Sequence, residues 1–317
     1  MGYKQLTLTQ RYQIKALLTA GYSILCVADK LTCHRSTIYR EINRNRCSRT
    51  YDPEIANEKA ILRRKYSTKK KRLSPEMKTF IRDKLKAGWS PEQIYGYCAK
   101  NGIDMISHES IYRYIAKNKK RGGELYKRLR RGTRRKRKYG SLHRAQNIKN
   151  RTSIDERPKV VDERSRIGDW EADLVIGKNH KGVLLTLVER RSRYTLAKLL
   201  PNKKASVVSQ AIIELLEPIK ESVLSVTFDN GSEFAFHQKI ANELSTNAYF
   251  AHPYASWERG TNENTNGLIR QFIPKGASFD GLTDGFVEKI LNSLNLRPRK
   301  VLGFSFPIEV FAERLIV

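Results

Sequence analysis

The sequence has few acidic residues, few cysteines and no long apolar run. Its 317 residues include 32 Asp and Glu against 61 Lys and Arg, so the formal net charge is +29. No segment approaches the roughly 18 consecutive apolar residues of a membrane span, and the N-terminus lacks the apolar stretch of a signal peptide. Four cysteines, Cys26, Cys33, Cys47 and Cys98, are too few for a disulfide scaffold in a chain of this length. We therefore expect a folded protein of the reducing cytosol, and we exclude secretion and membrane residence.

Positive charge is concentrated in the first half of the chain. Residues 1–160 contain 41 Lys and Arg and 13 Asp and Glu, a net charge of +28, whereas residues 161–317 contain 20 and 19, a net charge of +1. A basic surface of this size favours binding of a polyanion through phosphate contacts and counterion release. A merely basic, ribosomal-type protein is the alternative, but such proteins seldom carry a separate neutral domain. The charge distribution therefore predicts a nucleic-acid-binding protein.

The first 45 residues have the pattern of a helix-turn-helix unit. Apolar residues follow a helical period from Leu6 to Leu18, Ser23 can cap a short second helix, and a third helix begins after a tight turn at residues 32–34. In such a unit the last helix lies in the major groove and its first side chains meet the base edges. The residues predicted to contact DNA here are His34, Arg35, Ser36, Thr37 and Arg40.

The pattern recurs about 70 residues later. Ala87-Gly88 corresponds to Ala20-Gly21, and Ile111-Tyr112-Arg113 corresponds to Ile38-Tyr39-Arg40. A repeat of this length is too long for a solenoid, so we predict a second DNA-binding unit that uses His108 and Arg113. Two small helical bundles that pack on each other are the alternative.

A basic stretch follows the second unit. Residues 117–140 contain 13 Lys or Arg in 24 positions with almost no apolar periodicity. We expect the densest run, Arg134, Arg135, Lys136, Arg137 and Lys138, to follow a DNA backbone; a solvated spacer is the alternative.

The predicted domains are a first helix-turn-helix domain (1–48), a linker (49–70), a second helix-turn-helix-like domain (71–118), a basic linker (119–165) and a catalytic domain (166–317).

The neutral half alternates strand and helix patterns in the order β-β-β-α-β-α-β-α. The five predicted strands begin near residues 168, 183, 194, 223 and 248, and the first three form an antiparallel meander. This order predicts an α/β domain with a mixed five-stranded sheet. The predicted fold is therefore multidomain, with N-terminal all-α helix-turn-helix units and a C-terminal α/β domain.

Three carboxylates occupy characteristic places on this plan. Asp173 lies in the first strand, Asp229 ends the fourth, and Glu263 lies near the start of the last helix, with 33 residues between the latter two. Carboxylates brought together at a sheet surface repel each other unless they hold hard cations. An ordinary turn at Asp229-Asn230-Gly231 is the alternative for that position. Strand alternation places Asp169 and Glu171 on the same face as Asp173, so spacing alone does not choose among the three.

Three sequence blocks, residues 169–177, 227–234 and 252–270, closely resemble an insertion-sequence transposase family. It is the bacterial family named after insertion sequence thirty, and the resemblance extends over almost the whole chain. It implies a retroviral-integrase-like, ribonuclease-H-like core with an Asp-Asp-Glu triad at Asp173, Asp229 and Glu263. These three residues would hold two divalent ions, magnesium or manganese. The resemblance also implies DNA-contacting or helix-shaping roles for Trp257, Arg259, Asn262, Asn264, Asn266 and Arg270.

The function implied is that of a DNA transposase. It would bind the double-stranded terminal inverted repeats of its element, cleave the DNA and join 3′-hydroxyls to target DNA, as a homodimer or higher oligomer near the bacterial nucleoid in the cytoplasm. A sequence-specific repressor with a catalytically silent dimerisation domain is the main alternative, and a non-specific nuclease is a weaker one. No Cys-x-x-Cys or His-x3-His spacing supports a zinc site.

Overall fold

The computed structural model describes residues 5–45, 51–66, 73–130, 148–253 and 255–313. The chain divides into two compact units, Met1–Lys71 and Arg72–Val317, and each is treated by itself. None of the helices in the described ranges is both long and apolar enough to cross a membrane.

The first unit is built from four helices around a small core. Thr7 begins the first helix with a capping box that includes Gln10, and Ser23 caps the second. Ile14, Val27 and Ile38 are buried at the centre. The helices are α1 (Leu8–Thr19), α2 (Ile24–Lys30), α3 (Arg35–Asn45) and α4 (Pro53–Tyr66).

Helix α4 corrects the sequence-based assignment of residues 49–70 to a linker. Asp52 accepts hydrogen bonds from the backbone N–H groups of Glu54 and Ile55, and Pro53 occupies the first helical position. This is a standard helix start, and Ala56 is fully buried against the other helices. The high charge of the segment concealed its short apolar side.

The second unit begins with a three-helix bundle. Ser74, Ser90 and Ser107 each accept a hydrogen bond from the first turn of the helix that follows. Its core contains Ile81, Leu85, Trp89, Ile94, Cys98, Met105, Ile106, Ile111 and Ile115. The helices are α5 (Pro75–Lys86), α6 (Pro91–Lys100) and α7 (His108–Lys120), so the repeated sequence pattern corresponds to a second set of three helices.

This bundle packs against a segment near the C-terminus, residues 296–306, which we call the C-terminal segment. Trp89 contacts Phe306 with ring centroids 5.8 Å apart, and Lys300 Nζ lies 2.6 Å from Glu92 Oε1. A Cβ atom on Gly96 would lie 2.3 Å from the ring of Phe304. The bundle and the sheet described next therefore belong to the same compact unit.

A mixed five-stranded sheet forms the centre of the second unit. Its order is β3-β2-β1-β4-β5, with the first three strands antiparallel and β4 and β5 parallel to β1. The predicted α/β fold with a mixed five-stranded sheet is thus confirmed. The strands are β1 (Asp169–Ile176), β2 (Val183–Glu189), β3 (Thr195–Leu200), β4 (Ser225–Phe228) and β5 (Asn247–Phe250).

Helices cover both faces of the sheet. One apolar cluster joins Trp170 and Val226 to α9 and α10, and another joins Val175 and Leu184 to α11 and α12. The helices are α8 (Lys159–Glu163), α9 (Ala205–Leu216), α10 (His237–Leu244), α11 (Gly260–Ile269), α12 (Asp284–Asn295) and α13 (Pro307–Ala312).

The described part of the predicted basic linker 119–165 is packed rather than extended. Ile148, Ile154 and Val161 are buried, and Ser153 forms a β-bridge with Phe250 at the end of β5. These scattered apolar residues are too few to show a period. Ile148 joins the apolar cluster of the sheet, and the turn Ile154–Glu156 contacts β5. Residues 131–147, which include Arg134, Arg135, Lys136, Arg137 and Lys138, lie outside the described residues.

An asparagine side chain completes the hydrogen bonding of the edge strand β3. Asn295 Nδ2 donates to the Thr195 carbonyl (2.9 Å), and Asn295 Oδ1 accepts from the Thr195 N–H (2.9 Å). Both residues are buried. The end of α12 therefore satisfies two backbone groups that no further strand satisfies.

We expect Asn295→Ala to lower the free energy of unfolding by about 2 kcal/mol, because it leaves a buried N–H and a buried carbonyl without partners. Denaturant unfolding followed by circular dichroism measures the change. Asn292→Ala, at an exposed position of the same helix, is the matched control and should change stability by less than about 0.5 kcal/mol. Equal effects of the two substitutions would contradict the assigned role of Asn295.

Candidate active site and DNA-binding surfaces

Strand register brings Asp173 and Asp229 side by side. β1 and β4 are parallel neighbours, with Glu171 opposite Thr227. Asp173 lies two residues after Glu171, and Asp229 lies two residues after Thr227. Because the strands are parallel, both carboxyl groups emerge at the same edge of the sheet. The backbone N–H of Gly231 donates to Asp229 Oδ1 (2.9 Å), which holds this carboxylate at the strand end.

A single guanidinium group binds both carboxylates. Arg259, immediately before α11, places Nη1 3.4 Å from Asp173 Oδ1 and Nη2 3.1 Å from Asp229 Oδ2. Burial raises the pKa of Asp173, Arg259 acts in the opposite direction, and the nearby Asp229 raises it further. The two aspartates therefore form an anionic pair around one cation.

The other two carboxylates on this face of β1 have structural partners. Asp169 accepts two hydrogen bonds from the Arg166 guanidinium (2.9 and 3.0 Å) and one from Ser225 Oγ (2.6 Å). Both oxygens of the fully buried Glu171 are also used: Arg190 Nη1 lies 2.6 Å from one, and the Asn262 N–H lies 2.8 Å from the other. Only Asp173 of the three faces the Asp229 carboxylate.

Helix α11 is attached to the sheet through this acidic face. Asn266 Nδ2 donates to Asp173 Oδ2 (2.7 Å), and Thr186 Oγ1 on β2 lies 3.1 Å from Asn266 Oδ1. Asn266 is therefore positioned to orient Asp173. The Asn262 side chain is fully buried and has no hydrogen-bond partner among the described residues, so it does not lie on a DNA-accessible surface in this structure.

Glu263 lies in the first turn of α11 with its side chain exposed. Among the described residues, no set of three His, Cys, Asp or Glu side chains has metal-binding geometry, so Glu263 does not complete a site with the two aspartates here. The donor chemistry nevertheless fits a hard cation, because Asp173 and Asp229 already share a positively charged group. The structure thus brings together two of the three predicted ligands.

Two further residues implied by the resemblance flank α11. Arg270 donates to the Ile176 carbonyl (3.3 Å) at the end of β1, and burial lowers its pKa. Trp257 is 75% exposed, which rules out a core position for its indole ring. An exposed tryptophan two residues before Arg259 can stack on a base.

Helix α3 presents its predicted contact residues at the surface of the first unit. Arg35 and Arg40 are exposed, whereas Ser36 and Thr37 are half-buried. His34 Nδ1 lies 3.2 Å from the backbone N of Ser36, so the imidazole also caps this helix. The sequence-based prediction missed Tyr39, which is exposed between the two arginines; its aromatic ring at a helical i+4 offset from Arg35 was the available signal.

A basic cleft of about 440 Å³ also borders α3. Arg40 and Arg44 of α3 line one side, and Arg63 and Arg64 of α4 line the other. The α4 residues were missed because that segment was assigned to a linker. Arg11, a fifth arginine in the wall, is paired with Glu41, so Arg44, Arg63 and Arg64 are the residues that can bind phosphates here.

The second bundle presents α7 in the corresponding way. Arg113 is exposed and forms an ion pair with Glu109 (3.4 Å), and the His108 ring packs against Tyr95 with centroids 5.9 Å apart. Its last turn carries Lys117, Lys119 and Lys120. The exposed face of α7 is therefore mixed in charge at its start and basic at its end.

The loop between β5 and α11 is held by an ion-paired histidine. His252 Nδ1 lies 2.8 Å from Glu258 Oε1, and Nε2 lies 2.9 Å from Asp155 Oδ2. Glu258 foremost, and then Asp155, raises the pKa of His252 above its ordinary 6.5. Glu258 immediately precedes Arg259, so this contact helps to fix the start of the segment that carries the cation.

Comparison with known proteins gives consistent matches. A helix-turn-helix domain family matches residues 2–45. The chain is 45% identical to the transposase for insertion sequence element IS4351 of Bacteroides fragilis over 98% of this chain and 96% of that protein. It is 36% identical to transposase InsI for insertion sequence element IS30A of Escherichia coli K12, over 96% of this chain and 82% of the other. The catalytic core domain of BIV integrase is similar with 22% identity and a TM-score of 0.37, over 47% of this chain and 96% of that one.

The contact between His252 and Glu258 should persist to a pH above the ordinary pKa of histidine, because the pKa of His252 is raised. The charged imidazolium is favoured, so the contact is complete below the ordinary pKa and is lost as the pH rises through the raised pKa. We expect Glu258→Gln to lower the pKa of His252 toward 6.5, measured by NMR titration of labelled histidine. Glu288→Gln, at an exposed position on α12, should leave it unchanged. An unaltered His252 titration in Glu258→Gln would show that Glu258 is not the main partner.

Proposed function

The chain belongs to the family of transposases named after insertion sequence thirty, and we propose that it binds the terminal inverted repeats of its element and catalyses metal-dependent DNA cleavage and strand transfer. The reaction would be attack of a water molecule, and then of a DNA 3′-hydroxyl, on a phosphodiester bond. Asp173, Asp229 and Glu263 are the proposed catalytic residues.

The observation that carries this proposal is the aspartate pair around Arg259. Asp173 and Asp229 come from different strands, yet both direct an oxygen to one guanidinium group within 3.4 Å. The other two carboxylates on the same face of β1, Asp169 and Glu171, form ion pairs with Arg166 and Arg190. A half-buried pair of carboxylates that needs a cation is the kind of group that holds divalent metal at a phosphoryl-transfer site.

Two magnesium or manganese ions are the proposed cofactors, held by Asp173, Asp229 and Glu263. When bound, such ions would activate the attacking oxygen and stabilise the leaving oxygen. Arg259 would have to release the two aspartates for their oxygens to become ligands, and Asn266 would keep Asp173 oriented during this exchange. Glu263, exposed one turn before Asn266, would complete the set from α11.

The basic surfaces account for the proposed DNA partner. Arg35, Tyr39 and Arg40 lie on the exposed side of α3, the helix that reads bases in a helix-turn-helix unit. The second bundle would add contacts through α7, and Arg134 to Lys138 would follow the backbone. Paired DNA ends imply at least a dimer in the active complex.

A sequence-specific repressor is the second candidate. The observation that favours it is that no three potential metal ligands come together among the described residues. In that case the first unit would bind DNA while the sheet served only for association between subunits. Replacing Glu263 distinguishes the two functions.

We expect Glu263→Gln to reduce DNA cleavage and joining by at least a hundredfold, because it removes one charge from the proposed metal site while keeping the size of the side chain. Binding to the inverted repeat and thermal stability should remain unchanged. The assays are strand cleavage and joining on a labelled inverted-repeat duplex with magnesium, beside a gel shift on the same duplex.

Glu288→Gln, on the exposed face of α12, is the control and should retain full activity. Wild-type cleavage by Glu263→Gln would exclude Glu263 from the site. A wild-type protein that binds the repeat but never cleaves it with magnesium or manganese would favour the repressor.

For the DNA-reading surface, we expect Arg35→Ala or Arg40→Ala to weaken binding to the specific repeat by about 1–3 kcal/mol while sparing affinity for a random duplex. The reason is their exposed position on α3, where side chains meet base edges. Competition gel shifts with specific and random duplexes measure the ratio. Equal losses on both duplexes would identify these arginines as phosphate contacts.

A further inference from the structure

A cluster of arginines lines two adjoining cavities beside α11, on the flank away from the aspartate pair. The cavities have volumes of about 200 and 210 Å³ and share Asn264, Arg299 and Val301 in their walls. The first is bounded by the second bundle and the C-terminal segment, and the second by the start of α11 and the end of β2. Asn264 directly follows Glu263, so the cavities adjoin the helix that carries the proposed third ligand.

Several guanidinium nitrogens in these walls are buried without a hydrogen-bond partner. Arg297 is only 2% exposed and Arg299 only 8%. Within the described residues, Arg297 Nε and Nη2, Arg299 Nε and Arg193 Nε have no acceptor. Their remaining contacts go to neutral oxygens: Gln271 Oε1, the Leu294 carbonyl and Thr261 Oγ1. Buried guanidinium groups normally bind carboxylates, because burial of an unpaired charge is costly.

No carboxylate lines either cavity in the part of the chain that the structure describes. Glu92 approaches from the bundle, but it binds Lys300 at the exposed rim (2.6 Å). Glu171 and Glu189 attract Arg193 electrostatically, although their own hydrogen bonds go to Arg190 and to Ser192 respectively. The charges of Arg297 and Arg299 have no such acidic neighbour among the described residues.

The fold holds these arginines close together in spite of their repulsion. Burial and neighbouring arginine charges lower the pKa of Arg299 to about 9, and burial above all lowers that of Arg297 to about 10, so both remain charged at neutral pH. Gly88, with φ of +84°, allows Arg297 to lie against its backbone, since a Cβ atom there would be 2.1 Å from Arg297 Nη2. A neighbouring backbone thus makes room for the guanidinium group.

We propose that these two cavities form a phosphate-binding site for the backbone of the DNA strand held at the active site. Guanidinium groups donate paired N–H bonds to phosphate oxygens, and an anion in the cavities would balance the positive charge of the arginines in their walls. The choice of DNA rests on the proposed function, because α11 lies between the aspartate pair and the cavities. A strand that crosses α11 would place one phosphate in this site.

The test uses Val301, because substitution of the buried arginines could unfold the protein. Val301 is 72% exposed and lies in the walls of both cavities. Val301→Glu places a competing carboxylate at the cavity entrance, and Val301→Gln is the neutral control of the same size. The first measurement is the melting temperature of each full-length protein with inorganic phosphate, against sodium chloride of equal ionic strength.

We expect phosphate to raise the melting temperature of the wild type and of Val301→Gln, and to raise that of Val301→Glu by less than half as much. A wild type that phosphate does not stabilise, or a Val301→Glu protein that responds like Val301→Gln, would overturn the proposal. This measurement needs no catalysis, so it remains decisive even if Glu263→Gln proves fully active and the proposed chemistry fails.

The second measurement distinguishes DNA from free phosphate as the source of the anion. Affinity for a duplex carrying the inverted repeat is measured at several salt concentrations. Val301→Glu should bind about three- to tenfold more weakly than Val301→Gln, with a log–log salt slope smaller by about 0.9, the value for one phosphate contact. Equal affinities and slopes would overturn the assignment to DNA and leave a site for free phosphate only.

Discussion

Three carboxylates on one face of β1 place the strongest constraint on the second unit. Asp169, Glu171 and Asp173 alternate along the strand, so all three point to the same side, where α11 packs. Each needs positive charge or hydrogen-bond donors in a place with little water. Arg166 neutralises Asp169, and Arg190 neutralises Glu171. Arg259 binds Asp173 and, at the same time, Asp229. The placement of α11 and of the loop before it follows from these pairs.

The arginines near α11 therefore fall into two groups. Arg166, Arg190 and Arg259 are matched by carboxylates of β1 and β4. Arg193, Arg297 and Arg299 form no ion pair with a carboxylate of the described residues, and each has a buried nitrogen without a hydrogen-bond partner. In the first group the charge pairs stabilise the folded chain; in the second the charge is left for a ligand. The same residue type thus has a structural role on one flank of α11 and a proposed binding role on the other.

Much of the fold could be predicted from local patterns. The five strands lie within about two residues of their expected positions because each combines apolar alternation with a turn at its end. The helix at residues 53–66 and the packed segment at 148–165 were missed, since their apolar residues are few and their charge is high. Partners from distant parts of the chain make these segments ordered: Ala56 packs within the first unit, and Ser153 pairs with Phe250. Such partners leave no local signal.

By itself the sequence determined the division into a basic and a neutral half, the helix-turn-helix pattern, the order of strands, and through family resemblance the three candidate carboxylates. Spacing alone left open which acidic residue of β1 faces Asp229, because alternation treats Asp169, Glu171 and Asp173 alike, and only the resemblance chose Asp173. The tertiary structure supplies the physical reason, since the parallel register of β1 and β4 and the positions of Arg166, Arg190 and Arg259 depend on contacts between distant segments. The arginine-lined cavities were decided in the same way. Arg193, Arg297 and Arg299 are charged in any conformation, but only packing removes them from water and leaves their nitrogens without partners.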